Sequence, residues 1–136
     1  MNRFARAETK AVIHAYRHLY RQGLKVVSYS TPSRHVLLNT LRSAFRAGTR
    51  EEFKPQKIAN TLSFLQRACD VAGLEHKIVR NILMVNYWEQ PCMGKEYRVL
   101  KGLGIDQKHY LMRKSANAQF NQTLLLLNES LGTCLK

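Results

Sequence analysis

Between Val12 and Leu24 the chain places its apolar residues where a helix gathers them on one side. At about 100° per residue, Val12, Ile13, Tyr16, Leu19, Tyr20 and Leu24 fall within an arc of roughly 140°. Arg17 and Arg21, one turn apart, lie on the shoulder of that arc with His14 beside them. A single helix cannot bury such a stripe alone, so the rest of the chain must supply partners for it.

The spacing predicts further helices in order. The first is expected from about Glu8 to Gly23, with Gly23 near its end as a helix stop. Lys25 to Ser30 reads as a connector with β-leaning residues and no partner strand. Thr31-Pro32 is expected to open a second helix, threonine capping and proline occupying the first position. Its apolar face carries Leu37, Leu38, Leu41, Ala44 and Phe45, with His35, Arg42 and Arg46 beside it and Gly48 as the stop. A third helix is expected from near Pro55 to Ala72, through Ile58, Leu62, Leu65, Cys69 and Ala72, widened by Phe64 and Val71. A fourth helical piece comes next, from Glu75 to about Val85, through Ile78, Val79, Ile82 and Val85. The reading is an all-α fold, an up-down-up antiparallel bundle over residues 1–86.

Residues 87–136 read as an appended loop and helical extension, packing on the bundle or on a partner. Tyr87 to Gly94 is loop-like, and Asp106 can cap a last helix presenting Phe120, Leu124, Leu127 and Leu131, broadened by Leu125 and Leu126. The longest apolar runs, Leu124–Leu127 and Ile82–Val85, fall far short of a membrane span, so a chain without transmembrane segments is expected.

The charge restricts the partners. The formal net charge is +13, and residues 1–50 hold ten bases against a single acid, Glu8. Such a field draws nucleic acid, an anionic membrane surface or an acidic protein. Arg17 with Arg21, and Arg42 with Arg46, are like-charged pairs on adjacent turns, which cost an isolated helix a little. They read either as an anion-binding edge or as a solvated face whose aliphatic stems cover the core. The segment Met1–Ala7 carries two arginines and no acid, like a mitochondrial targeting segment, and import without cleavage is expected.

Catalytic equipment is sparse. Glu51-Glu52, the adjacent acidic pair, falls in a polar connector and reads as solvated. Gly102-Leu103-Gly104 lacks the spacing and the Lys-Ser/Thr of a phosphate loop. His14 and His18 have a spacing that metals use, but no acid or cysteine nearby completes a set. Cys69, Cys92 and Cys134 fit neither a disulfide framework nor a zinc site; Cys69 is expected as a small core residue, in a reducing compartment. No enzyme and no metal is expected.

Leu19-Tyr20-Arg21 followed by Gly23, with Phe45 downstream in Leu41-Arg42-Ser43-Ala44-Phe45-Arg46, resembles the LYR-motif family of small mitochondrial proteins. The resemblance covers about the first half of the chain. It implies a three-helix bundle in the mitochondrial matrix that binds the acidic mitochondrial acyl carrier protein, with the carrier's acyl-phosphopantetheine entering the bundle core. Leu19, Tyr20, Arg21 and Phe45 would belong to the carrier-binding motif, and Arg17, Arg42 and Arg46 would face the carrier. The acyl tunnel would be lined by Ile13, Tyr16, Leu38, Leu41, Ile58, Leu62 and Leu65, for each of which plain core packing is the competing role. Burial of about twelve methylenes at ~0.8 kcal/mol each would approach 10 kcal/mol before entropic costs.

With Leu62-Ser63-Phe64-Leu65 added, the pattern most resembles the branch serving large-subunit assembly of the mitochondrial ribosome. Mitoribosomal proteins or a silencing factor would then be the second partner. Ribosomal RNA could meet Lys95, Arg98, Lys101, Lys108, Arg113 and Lys114 of the extension. The competing readings are an adaptor of a respiratory complex or of iron–sulfur assembly, and a basic helical RNA-binding protein independent of any carrier.

Overall fold

The computed structural model describes residues 3–89 and 107–136. They form α1 (Arg3–Val26), α2 (Ser33–Ala47), a 3-10 turn (Arg50–Glu52), α3 (Pro55–Asp70), α4 (Leu74–Trp88) and α5 (Gln107–Leu131). The fold is all-α, a packed helical bundle with no strand among the described residues. Asp106 and Cys92, and the bases Lys95, Arg98 and Lys101, lie outside the described residues. No helix among the described residues is long and apolar enough to cross a membrane.

Four of the helices close a ring. α1 packs on α2 and α3, and α4 packs on the same two from the other side. The fourth helical piece is therefore a full wall of the bundle, and it runs through Tyr87 and Trp88, which the sequence assigns to a loop. Val79, Ile82 and Leu83 supply its inner face. The core is centred on α3, where Phe64 is 2% and Ala68 1% exposed. Burying a side chain such as Phe64 contributes about 1.5–3 kcal/mol.

α1 and α2 run antiparallel, as three contacts along their length establish. Glu8 pairs with Arg50 just beyond α2, Tyr16 meets Phe45, and Gly23 lies against Leu37. Gly23 does not stop α1, which continues to Val26. A Cβ built on Gly23 would lie 2.8 Å from a Leu37 methyl, so the missing side chain serves the close approach of two helices. Lys25 and Val26, read as connector, still belong to α1, and Val26 and Val27 are buried in the core. The chain then reverses through Ser28 and Tyr29, both in the left-handed region at φ 51° and 56°.

Helix α2 begins at Ser33, with Pro32 as its cap residue and a cis Thr31–Pro32 bond before it. No side chain caps it; Pro32 offers its carbonyl to His35 and Val36 instead. Helix α3 does start on Pro55, whose missing N–H costs nothing at the first position.

The inner face of α3 is Thr61, Phe64, Leu65 and Ala68. The apolar spacing alone centres that face one residue away, on Cys69 and Ala72, and both of these are exposed. Val71 is 65% exposed because α3 has already ended at Asp70, so helical spacing no longer applies to it.

Candidate functional site

Among the described residues, the four-helix ring does not fill its own centre. Between α1, α2, α3 and α4 lies an apolar cavity of about 480 Å³, within the range of small-molecule sites. Its inner wall is made by Leu19, Leu65, Val79, Ile82 and Leu83, all buried. Leu41, Ala44, Phe45 and Ile58 line its half-buried part. Its exposed rim is polar: Glu8 pairs with Arg50, and Lys54 and Lys136 stand nearby with the half-buried Lys57. Four bases against Glu8 and Glu52 leave this mouth net positive.

One wall comes from a segment that helical periodicity cannot foresee. α5 ends at Leu131, and Gly132 takes φ +63°. The Thr133 amide then reaches back to the Asn128 carbonyl at 3.0 Å, a six-residue closure that a left-handed glycine permits. The side chain of Asn128 fastens the last residues of the chain. Its Oδ1 accepts from the Thr133 hydroxyl and the Leu135 amide, both at 2.9 Å, and its Nδ2 donates to the Leu135 carbonyl at 2.6 Å.

From α3, Asn60 donates to the Gly132 carbonyl at 3.0 Å. The Thr61 hydroxyl donates to the Lys57 carbonyl and accepts from the Cys134 amide at 3.0 Å, with the Cys134 Sγ 3.3 Å away. Leu135 is thereby set into the core, and Cys134 and Leu135 face the cavity. The signal available in the sequence is small: a glycine after a leucine-rich run, and an adjacent asparagine and threonine on α3.

The candidate residues divide into three groups. Leu41, Ile58 and Leu65 line the cavity, as do Leu19 and Phe45. Tyr16, Leu38 and Leu62 are half-buried but off its wall, and Leu62 packs on the core instead. Ile13 is 44% exposed and off the wall as well, because it lies toward the edge of the α1 arc opposite the buried Leu19.

Tyr16 still marks the seam. Its ring meets Phe45 edge-on at 5.3 Å and stacks near Tyr20 at 6.4 Å, giving an aromatic ladder between α1 and α2. Arg17, Arg21, Arg42 and Arg46 are all exposed, and none pairs with an acid among the described residues. Both rails are therefore free to meet an acidic surface beside the seam.

The described residues contain no group of three or more His, Cys, Asp or Glu able to hold a metal ion. Glu52 accepts the Thr49 amide at 3.3 Å and Glu51 is exposed, so the acidic pair is committed to a turn and to solvent.

No family model and no solved structure matches the chain. Over 78 residues it is 31% identical to a UPF0593 mitochondrial protein of Schizosaccharomyces pombe. The match covers 56% of this chain and 62% of that relative, so less than two thirds of the relative's length is spanned.

Proposed function

We propose that this chain is a non-enzymatic mitochondrial adaptor of the LYR type, which takes the acyl chain of an acylated acyl carrier protein into its central cavity. The observation that carries the reading is the cavity of about 480 Å³, apolar within and basic at its mouth. A purely structural bundle of this size fills such a space, because interiors pack to crystal-like density. An apolar hole that opens between lysines suits a ligand with a fatty tail and an anionic attachment, which is the chemistry of acyl-phosphopantetheine.

The sequence motif supplies the docking edge. Leu19 lines the cavity, Tyr20 and Phe45 belong to the aromatic seam, and Arg21 stands free outside it. The similarity to a mitochondrial protein supports the compartment. Large-subunit assembly of the mitochondrial ribosome is the role proposed for the complex, with mitoribosomal proteins or a silencing factor as second partner.

The test is purification of the tagged full chain from mitochondria, with intact-mass analysis of the proteins that co-purify. The adaptor reading expects the carrier with a thioester-bound fatty acyl group, plus large-subunit proteins. A carrier whose serine cannot accept phosphopantetheine should be lost, and Arg21→Ala should lower recovery several-fold. Equal recovery of the unmodified carrier would sink the acyl-dependent reading. Respiratory or iron–sulfur proteins in place of ribosomal ones would move the adaptor to another complex.

A further inference from the structure

A second concavity, of about 430 Å³, lies between α4, the turn after α1 and the first turns of α2. Its character is unlike that of the central cavity. His76, Arg80, Met84 and Trp88 recur every fourth residue and line one wall. From His76 to Trp88 this wall extends about 18 Å along the helix. Arg80 and the His76 imidazole occupy one end and aromatic rings the other.

Trp88 is 47% exposed, and Tyr87 braces it edge-on at 5.5 Å and 77°, which leaves an indole surface open in a set orientation. The opposite wall carries the hydroxyls of Ser28, Ser30 and Ser33, while the buried Val26, Val36 and Leu83 make an apolar floor. No acid lines the groove among the described residues, and the chain as a whole is at +13.

We propose that this groove binds unpaired nucleotides of a single-stranded RNA, with bases stacked on Trp88 and phosphates held by Arg80 and His76. Single strands are gripped by cations beside aromatic platforms, and this groove sets Arg80 and the Trp88 ring along one helix. Ser28 and Ser33 opposite can exchange hydrogen bonds with ribose 2′-hydroxyls, which deoxyribose lacks, while Ser30, donating to the Val27 carbonyl at 2.7 Å, can accept. An acidic peptide would satisfy Arg80 and leave the indole unused. The site shares Leu83 alone with the central cavity and does not depend on the carrier reading.

Trp88 is the single tryptophan of the chain, so its emission reports on the groove alone. A labelled ten-nucleotide RNA titrated into the full chain should bind saturably by anisotropy and quench Trp88. Arg80→Ala and Trp88→Leu should each weaken binding about tenfold, as loss of one stacked base or phosphate contact does. Arg80→Ala should also reduce the salt slope by about 0.7, the value for one phosphate on a single strand.

Arg67→Ala, exposed on α3 and outside the groove, should change affinity less than threefold. Arg80 and Trp88 are exposed, and unchanged circular dichroism checks that the variants fold. Three results would overturn the proposal: unquenched Trp88 emission at saturation, equal weakening by Arg67→Ala and Arg80→Ala, or DNA or duplex of the same sequence binding as tightly. Loss of carrier binding in Arg21→Ala should leave the RNA titration unchanged, which keeps the two readings apart.

Discussion

At the scale of single residues, Gly23 and Asn128 have roles that their type alone does not announce. At Gly23 a methyl group meets the tip of Leu37, a flexible side chain that can swing aside. Alanine also gains about 1 kcal/mol of helix propensity over glycine. Gly23→Ala should therefore fall within about 1 kcal/mol of the parent in urea denaturation, whereas Gly23→Leu overfills the same contact and should cost about 1–3 kcal/mol. A glycine serving as a left-handed stop would give another pattern, with alanine already costly. Asn128 makes three hydrogen bonds to the segment after α5, and Asn128→Ala removes all of them. With Thr133 and Leu135 buried, the orphaned groups should cost roughly 2–3 kcal/mol. Hydrogen exchange at the Leu135 amide should accelerate in step; an unchanged rate would mean that Asn60 and Thr61 hold the segment unaided.

At the scale of elements, the turn between α1 and α2 places Ser28 and Tyr29 consecutively in the left-handed region, where a side chain costs about 1–2 kcal/mol per residue. Ser28→Gly should relieve part of this and raise stability by about 0.5–1 kcal/mol, read as an upward shift of the thermal midpoint. Elements of this kind also show where sequence reasoning reaches and where it stops. The start of α3 is legible at Pro55 because proline has one favourable place in a helix, and Gly48 is legible as the residue after α2. The phase of α3 is not. Thr61 and Ala68 read as polar and small, yet they face inward, because Thr61 is satisfied by Lys57 and by the segment after α5. That partner lies 73 residues away, and no local pattern carries it. The α1 face is legible at Leu19 and drawn too wide at Ile13 for a related reason: an arc of apolar residues does not say which edge its neighbours cover. Likewise Leu41, Ile58 and Leu65 of the candidate tunnel line the cavity, while its far wall on α4 emerges only from the closure of the ring.

At the scale of the whole molecule, the ring leaves a hole that must be either tolerated empty or filled, and stability tells which. A ligand bound to the folded state alone stabilises it by RT ln(1 + [L]/Kd), about 2.7 kcal/mol at a hundredfold excess over Kd. The free chain should therefore melt several degrees below its complex with an acylated carrier, and the gap should grow with acyl length as more methylenes are buried at ~0.8 kcal/mol each. Ala44 offers a way to separate filling from docking. It lines the cavity from α2 and takes no part in the ring contact that Phe45 makes with Tyr16. Ala44→Phe would place a ring in the space that the acyl chain should occupy. If the hole exists for a ligand, this variant should match or exceed the parent in thermal midpoint when free, yet gain nothing from an acylated carrier. Arg21→Ala should do the converse, with the parent's stability when free and weakened docking. A drop of more than about 2 kcal/mol in free Ala44→Phe would instead mark a core already filled by its own side chains, since overpacking costs this much in a dense interior. The cavity would then have no room for a guest.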